Sequence, residues 1–497
     1  MTIKKQLLAT IFSTGLVATT LIPTSQAAPW VDTGDARLRH HIQVLADSGI
    51  ISSPITTWPL MWASIAEDIS KANVKNLSAE LHWSLSHVRF AYQEQTASTQ
   101  IKGELTTSNS INPLTTFGNK QREQHSASAS IDSVGERFAG RLSASYQPDS
   151  LDDNDARLDG SYLAAIIGNW AFSIGAVDRW WGPGWNNSLI LSHNARPVPG
   201  IALQRNRTDA FETPWLSWIG PWQLQAFAGQ LESSRYVPDA KLIGMRFSLK
   251  PAANWEIGLS RSMQWGGEGR PQSLESLGNL LLGKDNRGSG GIAADGSNEP
   301  GNQLGGIDIR YNTTLGATQT AAYFQFIGED EAGALPSRGI AQFGLESSFS
   351  YQDIQHRLIL EYSNTTTKFY SDERPNTSYE HSIYQSGYRY YQRNLAASIE
   401  SDSEELSLNG QHYFSEGQQL HWQIAAIKIN KDGTTRNPDI GSLYQQPVNT
   451  GYLKVSYQQP ISKHWMAEVG LHHSEKTLYF ADETLDTGGY IKLGFKY

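Results

Sequence analysis

The run Trp180-Trp181-Gly182-Pro183-Gly184-Trp185 gathers three indoles around a Gly-Pro-Gly bend, directly after Arg179. Arg196 and Arg205 follow closely in the sequence. A second cluster, HSIYQSGYRYYQR (381–393), brings Tyr388, Arg389, Tyr390 and Arg393 together. Flat aromatic faces shed water cheaply against the apolar face of a sugar ring. Guanidinium forks match carboxylates, such as those of uronic acids, two bonds at a time. Arg179, Trp180, Trp181, Trp185, Arg196, Arg205, Tyr388, Arg389, Tyr390 and Arg393 are therefore candidate contacts for an acidic polysaccharide, carried on exposed loops. Two structural alternatives stand beside this. One or two of the indoles could belong to a membrane-interface belt. The Arg–Tyr cluster could fold inward and pair with acids on a surrounding wall.

Other groupings offer less chemistry. His40-His41 and His472-His473 are sequence neighbours, whose side chains point apart on a helix or strand, so neither pair chelates one metal. The acidic stretch DSLDDNDARLD (149–159) misses the spacing of a calcium loop. Ser192 and His193 are adjacent and cannot act as nucleophile and base, and no G-x-S-x-G occurs. The sequence thus gives no catalytic residue, no metal site and no cofactor. An enzyme would need a Ser–His–acid set or paired carboxylates converging on one rim.

What positions these residues depends on the solvent around the chain. Lys4 and Lys5 precede an apolar stretch, Leu7 to Ile22, and Ser25-Gln26-Ala27 supplies a small-residue cleavage site, so residues 1–27 read as a secretory signal peptide. Its removal takes away two lysines and no acid, deepening the net charge from −9 to −11. Nothing in that balance suggests nucleic acid, and no nucleic-acid partner is expected. The exported chain has no cysteine, hence no disulfide staples. No later uncharged apolar run is long enough for a transmembrane helix. The mean hydropathy of −0.43 leaves both a periplasmic protein and an outer-membrane barrel open.

Residues 28–97 carry helical patterns. Leu38, Ile42 and Leu45 line one face of a first helix over 35–47, which Gly49 closes. The spacing predicts a second helix opening at Trp58-Pro59-Leu60-Met61-Trp62 and continuing through Ile65 and Ile69. A third begins near Ser78 and runs through Leu85, Val88 and Phe90. Together they form a three-helix bundle.

From residue 98 onward the period switches to two. Ile243, Met245, Phe247 and Leu249 alternate with Gly244, Arg246, Ser248 and Lys250, and the pattern persists to Tyr497. One face is apolar and edged with Trp or Tyr, while the other repeatedly carries Arg, Glu, Asp and Lys. A lipid-embedded barrel has this arrangement, apolar outside and wet inside, and closure satisfies every backbone group. Eighteen strands are expected, near 100–107, 122–132, 136–147, 158–168, 169–178, 200–210, 222–231, 241–250, 255–265, 305–313, 319–328, 340–350, 356–364, 404–414, 420–430, 451–459, 464–474 and 489–497. Brief turns such as 133–135 lie at one end. Long loops at 148–157, 179–199, 266–304, 365–403 and 431–450 lie at the other. The fold class is therefore mainly β, a transmembrane antiparallel barrel with an N-terminal periplasmic α-helical bundle, placed in the outer membrane of a Gram-negative bacterium.

RWWGPGW (179–185) followed by SLILSHNARPVPG (188–200), the later SGYRYYQRNLAASI (386–399), and LADSGIISSPITTWPLMW (45–62) closely resemble the Wzi family of capsule-assembly proteins. The resemblance spans nearly the whole mature chain. It implies an eighteen-stranded outer-membrane barrel with a periplasmic bundle, lectin-like, that helps hold capsular polysaccharide at the cell surface without being its export pore. It transfers no binding residue, because the WGPG segment can equally stabilise the barrel. The partners expected are an acidic capsular or extracellular polysaccharide and outer-membrane lipid, with export machinery meeting the periplasmic helices. A monomer is expected. The bundle reads either as a plug or as a dock. The rival function is a porin-like channel for sugars or small solutes.

Overall fold

A computed structural model describes residues 29–283, 293, 298–332, 335–367, 374–434, 442–444, 446–481 and 483–497. The signal peptide, and parts of the expected loops 266–304, 365–403 and 431–450, lie outside the described residues.

The strands form one closed antiparallel barrel, each hydrogen-bonded to its sequence neighbours, and Glu483–Lys496 returns to pair with Thr99–Ser108. Ala156–Arg157 and Tyr162–Ile167 both pair with Phe138–Tyr146 and are one broken strand, which leaves eighteen among the described residues. Several strands outrun their expected limits. Gly301–Leu315, Thr318–Ala332, Leu335–Tyr351 and Trp465–Phe480 continue past the apolar zone at the long-loop end. There the period-two signal fades, although the strands continue to pair. In the other direction, Pro199–Arg205 stops short of residue 210. Its connection over 206–221, which includes the 3₁₀ turn Ser217–Ile219, lies at the otherwise short-turn end.

Burial is inverted relative to a water-soluble fold. Ile424 is 56% exposed, Leu471 63% and Ile491 59%, whereas the inward-facing Gln325 and Gln342 are wholly inaccessible. A continuous belt of exposed Ile, Leu and Phe is tolerable only against hydrocarbon. Among the described residues no helix is long and apolar enough to cross a membrane.

The interior is not a hydrated bore. Helix α1 (Ala36–Asp47) is capped by the Asp35 carboxylate, which accepts from the Leu38 amide at 2.8 Å, and Gly49 follows with φ +79°. Every residue from Ala36 to Ala46 is buried, charged ones included, because the helix enters the barrel from the short-turn end. Its polar side chains bond the wall. His40 meets Gln355 and Arg357, and Arg310 bridges Asp47 and Glu346, with 2.6 Å contacts to each. Helix α2 spans Trp62–Lys71 and α3 spans Ala79–Gln95.

The expected start of α2 at Trp58 is corrected. Thr57–Trp58 pairs with Trp180–Trp181, and Leu60–Met61 pairs with Trp30–Val31. These tertiary pairings satisfy backbone groups that a helix would otherwise have used. The stripe of α3 also differs at one place: Leu85, Val88 and Ala91 face inward, whereas Phe90 is 58% exposed. One hydrophobic core joins the helices to Phe117, Trp180, Trp185 and the wall residue Ile359, so the bundle is inserted into the barrel and does not merely cap its mouth.

Candidate functional site

The tryptophan run lies inside the barrel, on top of the inserted helices, and not on an exposed loop. Trp180, Trp181 and Trp185 are all fully buried. Trp180 Nε1 donates to the Gly184 carbonyl at 3.1 Å, and its ring meets Phe117 edge-on at 5.5 Å. Trp181 Nε1 donates to Gln225 at 2.5 Å, and Trp185 Nε1 donates to Glu346 at 3.0 Å. Glu361, projecting from the wall, accepts from the successive amides of Trp185, Asn186 and Asn187 at 2.8, 3.1 and 3.1 Å, and from Tyr323 Oη at 2.6 Å. Gly184 is required by close approach, since a Cβ there would stand 2.2 Å from the Asn187 carbonyl, and Gly182 by its φ of +134°. Three indole N–H groups and three backbone amides thus find internal partners, which is what a buried polar segment needs to exist at all.

The arginines expected to read a glycan are likewise engaged. Arg179 is buried over the Phe227 ring at 4.1 Å, donates to the Val177 carbonyl, and is drawn down to a pKa of about 10 by burial. Arg389 is clamped between Glu380 at 2.6 Å and Glu400 at 2.8 Å. Arg393 donates to the Asn112 and Arg122 carbonyls, and burial lowers it to about 10. Arg196 forms a fork on Asp159 and also reaches Asp152 at 2.5 Å. Arg205 sits at the opposite end of the barrel, against Trp222 and the Asp209 carbonyl. Tyr388 Oη donates to the Ile190 carbonyl at 2.9 Å and lies 2.6 Å from Ser262 Oγ; Tyr390 is buried. Of the ten candidates, Arg196 stays partly accessible and Arg389, although buried, borders an open cleft; the others are sealed into the interior or, for Arg205, the far rim. The inward-folded alternative describes the Arg–Tyr cluster, with one difference. The acids that hold Arg389 come from its own loop and not from the wall.

An accessible concavity lies elsewhere, at the long-loop end. A cleft of about 550 Å3 is bounded by Asp152 and Asp153, by Glu232 and Arg235, and by Tyr391 and Gln392, with Arg389 at its floor. Tyr391 and Gln392 form the tip of a hairpin in which Arg389 pairs with Asn394 and Tyr390 with Arg393. The Arg196 guanidinium lies 4.8 Å from the Tyr391 ring centroid. Tyr391 stood in full view in the run YRYYQR. What selects it over Tyr390 is the hairpin register, which turns one tyrosine inward and leaves the next half-exposed. Asp153 stood out only as part of the acidic stretch 149–159, and Glu232 and Arg235 gave no signal, because the loops that carry them converge only through the barrel.

Closed strands facing lipid, a polar inner wall and a self-supplied filling define a plugged outer-membrane β-barrel. Residues 93–488 match the family model described as capsule assembly protein Wzi. The chain belongs to that family, as its sequence motifs implied. It is similar to the solved structure of Escherichia coli Wzi, described as an outer-membrane protein involved in group 1 capsule assembly and a carbohydrate-binding β-barrel. That likeness covers 93% of this chain and 98% of the other, at 28% identity and a TM-score of 0.81. A 55.8 kDa protein from the cps region of Klebsiella pneumoniae is 36% identical over 316 residues, 63% of this chain. The matched part spans only 60% of that relative's length.

Proposed function

We propose that this outer-membrane protein binds capsular or extracellular polysaccharide at the cell surface in a lectin-like manner and helps retain it there. The observation that carries this reading is the division of the molecule. Its interior is filled by its own helices and inward-folded segments, while a polar cleft stands open among the long loops. Long loops face outward and short turns face the periplasm in barrels of this kind, which supports reading the cleft as lying at the cell surface and the helices on the periplasmic side. The carbohydrate binding described for Escherichia coli Wzi supports the same assignment. The porin-like alternative gains no such support, because the inner wall spends its polar groups on the plug. Export or assembly machinery would meet the protein at its periplasmic helices. Deletion of the gene tests the proposal: polysaccharide should still be made and exported but appear in the medium, with less held on cells. Unchanged retention, with sugar accumulating inside the envelope, would overturn it.

A further inference from the structure

The hairpin tip at Tyr391-Gln392 is built against local preference. Tyr391 has φ +46° and Gln392 φ +67°, consecutive left-handed residues linking the paired positions Tyr390 and Arg393. Two positive φ values in a two-residue loop are the signature of a type I′ turn, for which Asn-Gly is favoured. A tyrosine there is an outlier, since its Cβ crowds the backbone. Such conformations persist where the surroundings over-determine them, and they gather at ligand-contacting positions. The surroundings here do fix the hairpin. Arg389 is held by Glu380 and Glu400, and Tyr390 packs edge-on against Tyr391 at 4.7 Å. The consequence is an aromatic ring and a primary amide delivered to the cleft.

The charges around that ring speak against a carboxylate ligand. Asp152, Asp153 and Glu232 line the cleft, and its two arginines are already paired, Arg235 with Glu232 and Arg389 with its two glutamates. Arg196, beside the ring, is committed to Asp152 and Asp159. A uronate would meet acids without a free fork to receive it. Sugar hydroxyls, in contrast, donate readily to carboxylates, and a pyranose face stacks on a phenol ring. We infer that this cleft takes neutral, hydroxyl-rich sugar units, with Tyr391 as the stacking platform and Asp153 and Gln392 as hydroxyl and amide contacts. The inference rests on the polysaccharide-binding reading above and narrows its ligand class.

The test uses the full-length protein in detergent and the surface polysaccharide purified from its own cells, intact and after chemical reduction of its uronic carboxyls to alcohols. Wild-type protein should bind both forms within about threefold of each other. The double variant Tyr391→Asn/Gln392→Gly should melt at the same or a higher temperature and bind at least about tenfold more weakly. Unchanged binding by that variant overturns the inference alone. So does a fall in its melting temperature together with its binding, which would make the tyrosine structural, and so does loss of wild-type binding on carboxyl reduction. Failure of wild-type protein to bind the intact polysaccharide overturns the broader proposal instead.

Discussion

The Arg39 guanidinium lies 4.0 Å from the centroid of the Trp185 ring and donates to the Pro183 and Gly184 carbonyls at 2.6 and 2.9 Å. Residues 145 apart in the chain are thereby one packed unit, in which the first helix supports the tryptophan run and the run roofs the helix. A cation stacked on an indole away from water is worth more than the same pair at the surface.

Trp185→Ala should therefore act as a core truncation, costing about 3–5 kcal/mol. Thermal melting in detergent and limited proteolysis of the 29–97 segment would register it, as a lower transition and earlier release. An unshifted melting curve combined with lost polysaccharide binding would return the indole to the ligand.

Glu361 is a second pin. Its carboxylate faces three backbone amides and a phenol, all donors, so Glu361→Gln sets an NH2 group against some of them. Hydrogen bonds to a charged acceptor contribute about 1.5–3 kcal/mol each. The substitution should raise the exchange rates of amides 185–187 by about tenfold or more, with barrel amides unchanged. Equal protection in the variant would show that the carboxylate is not what holds the segment.

Acidification should loosen the plug. His40 Nδ1 accepts from Arg357 Nε at 3.0 Å, and burial together with that guanidinium holds the ring well below the ordinary value of 6.5. His41 is lowered in the same way, by burial and then by His87. His193 is taken to about 3 by burial, against the pull of Asp178. A depressed histidine is bound neutral, so its contribution is complete above 6.5 and is lost as pH falls towards the folded value. Below pH 6.5 each therefore subtracts from plug stability, and His193, held at about 3, does so by roughly 2 kcal/mol at pH 5. Hydrogen exchange in α1, corrected for intrinsic rates, should be faster at pH 5 than at pH 7.5. Slower exchange at pH 5 would refute the sign.

The outer face makes its own demand. Ile424 pairs with Leu453 across the sheet, and both point into lipid. Ile424→Arg should cost about 2–4 kcal/mol near the midplane and lower folding yield into vesicles. A neutral effect would mean that this belt does not meet hydrocarbon.

The two faces of the strands were legible because alternation reports two different solvents whatever the tertiary detail. Strand ends were not, as at Thr318–Ala332, because the period-two signal fades there. Trp58 to Met61 read as helix since pairing with Trp180-Trp181 and Trp30-Val31 is invisible from local pattern. The indoles of 180–185 posed a harder case: a belt tryptophan, a glycan platform and a plug anchor are the same residue type, separated only by which interior they face. Tyr391 differs from Tyr390 by register alone.

The polar inner wall is bonded to the inserted plug, so no continuous water path is expected along it. Single-channel recording of the intact protein in planar bilayers tests this most directly. No steady, porin-sized openings are expected. Sustained large conductance from purified, folded protein would contradict it and favour a channel.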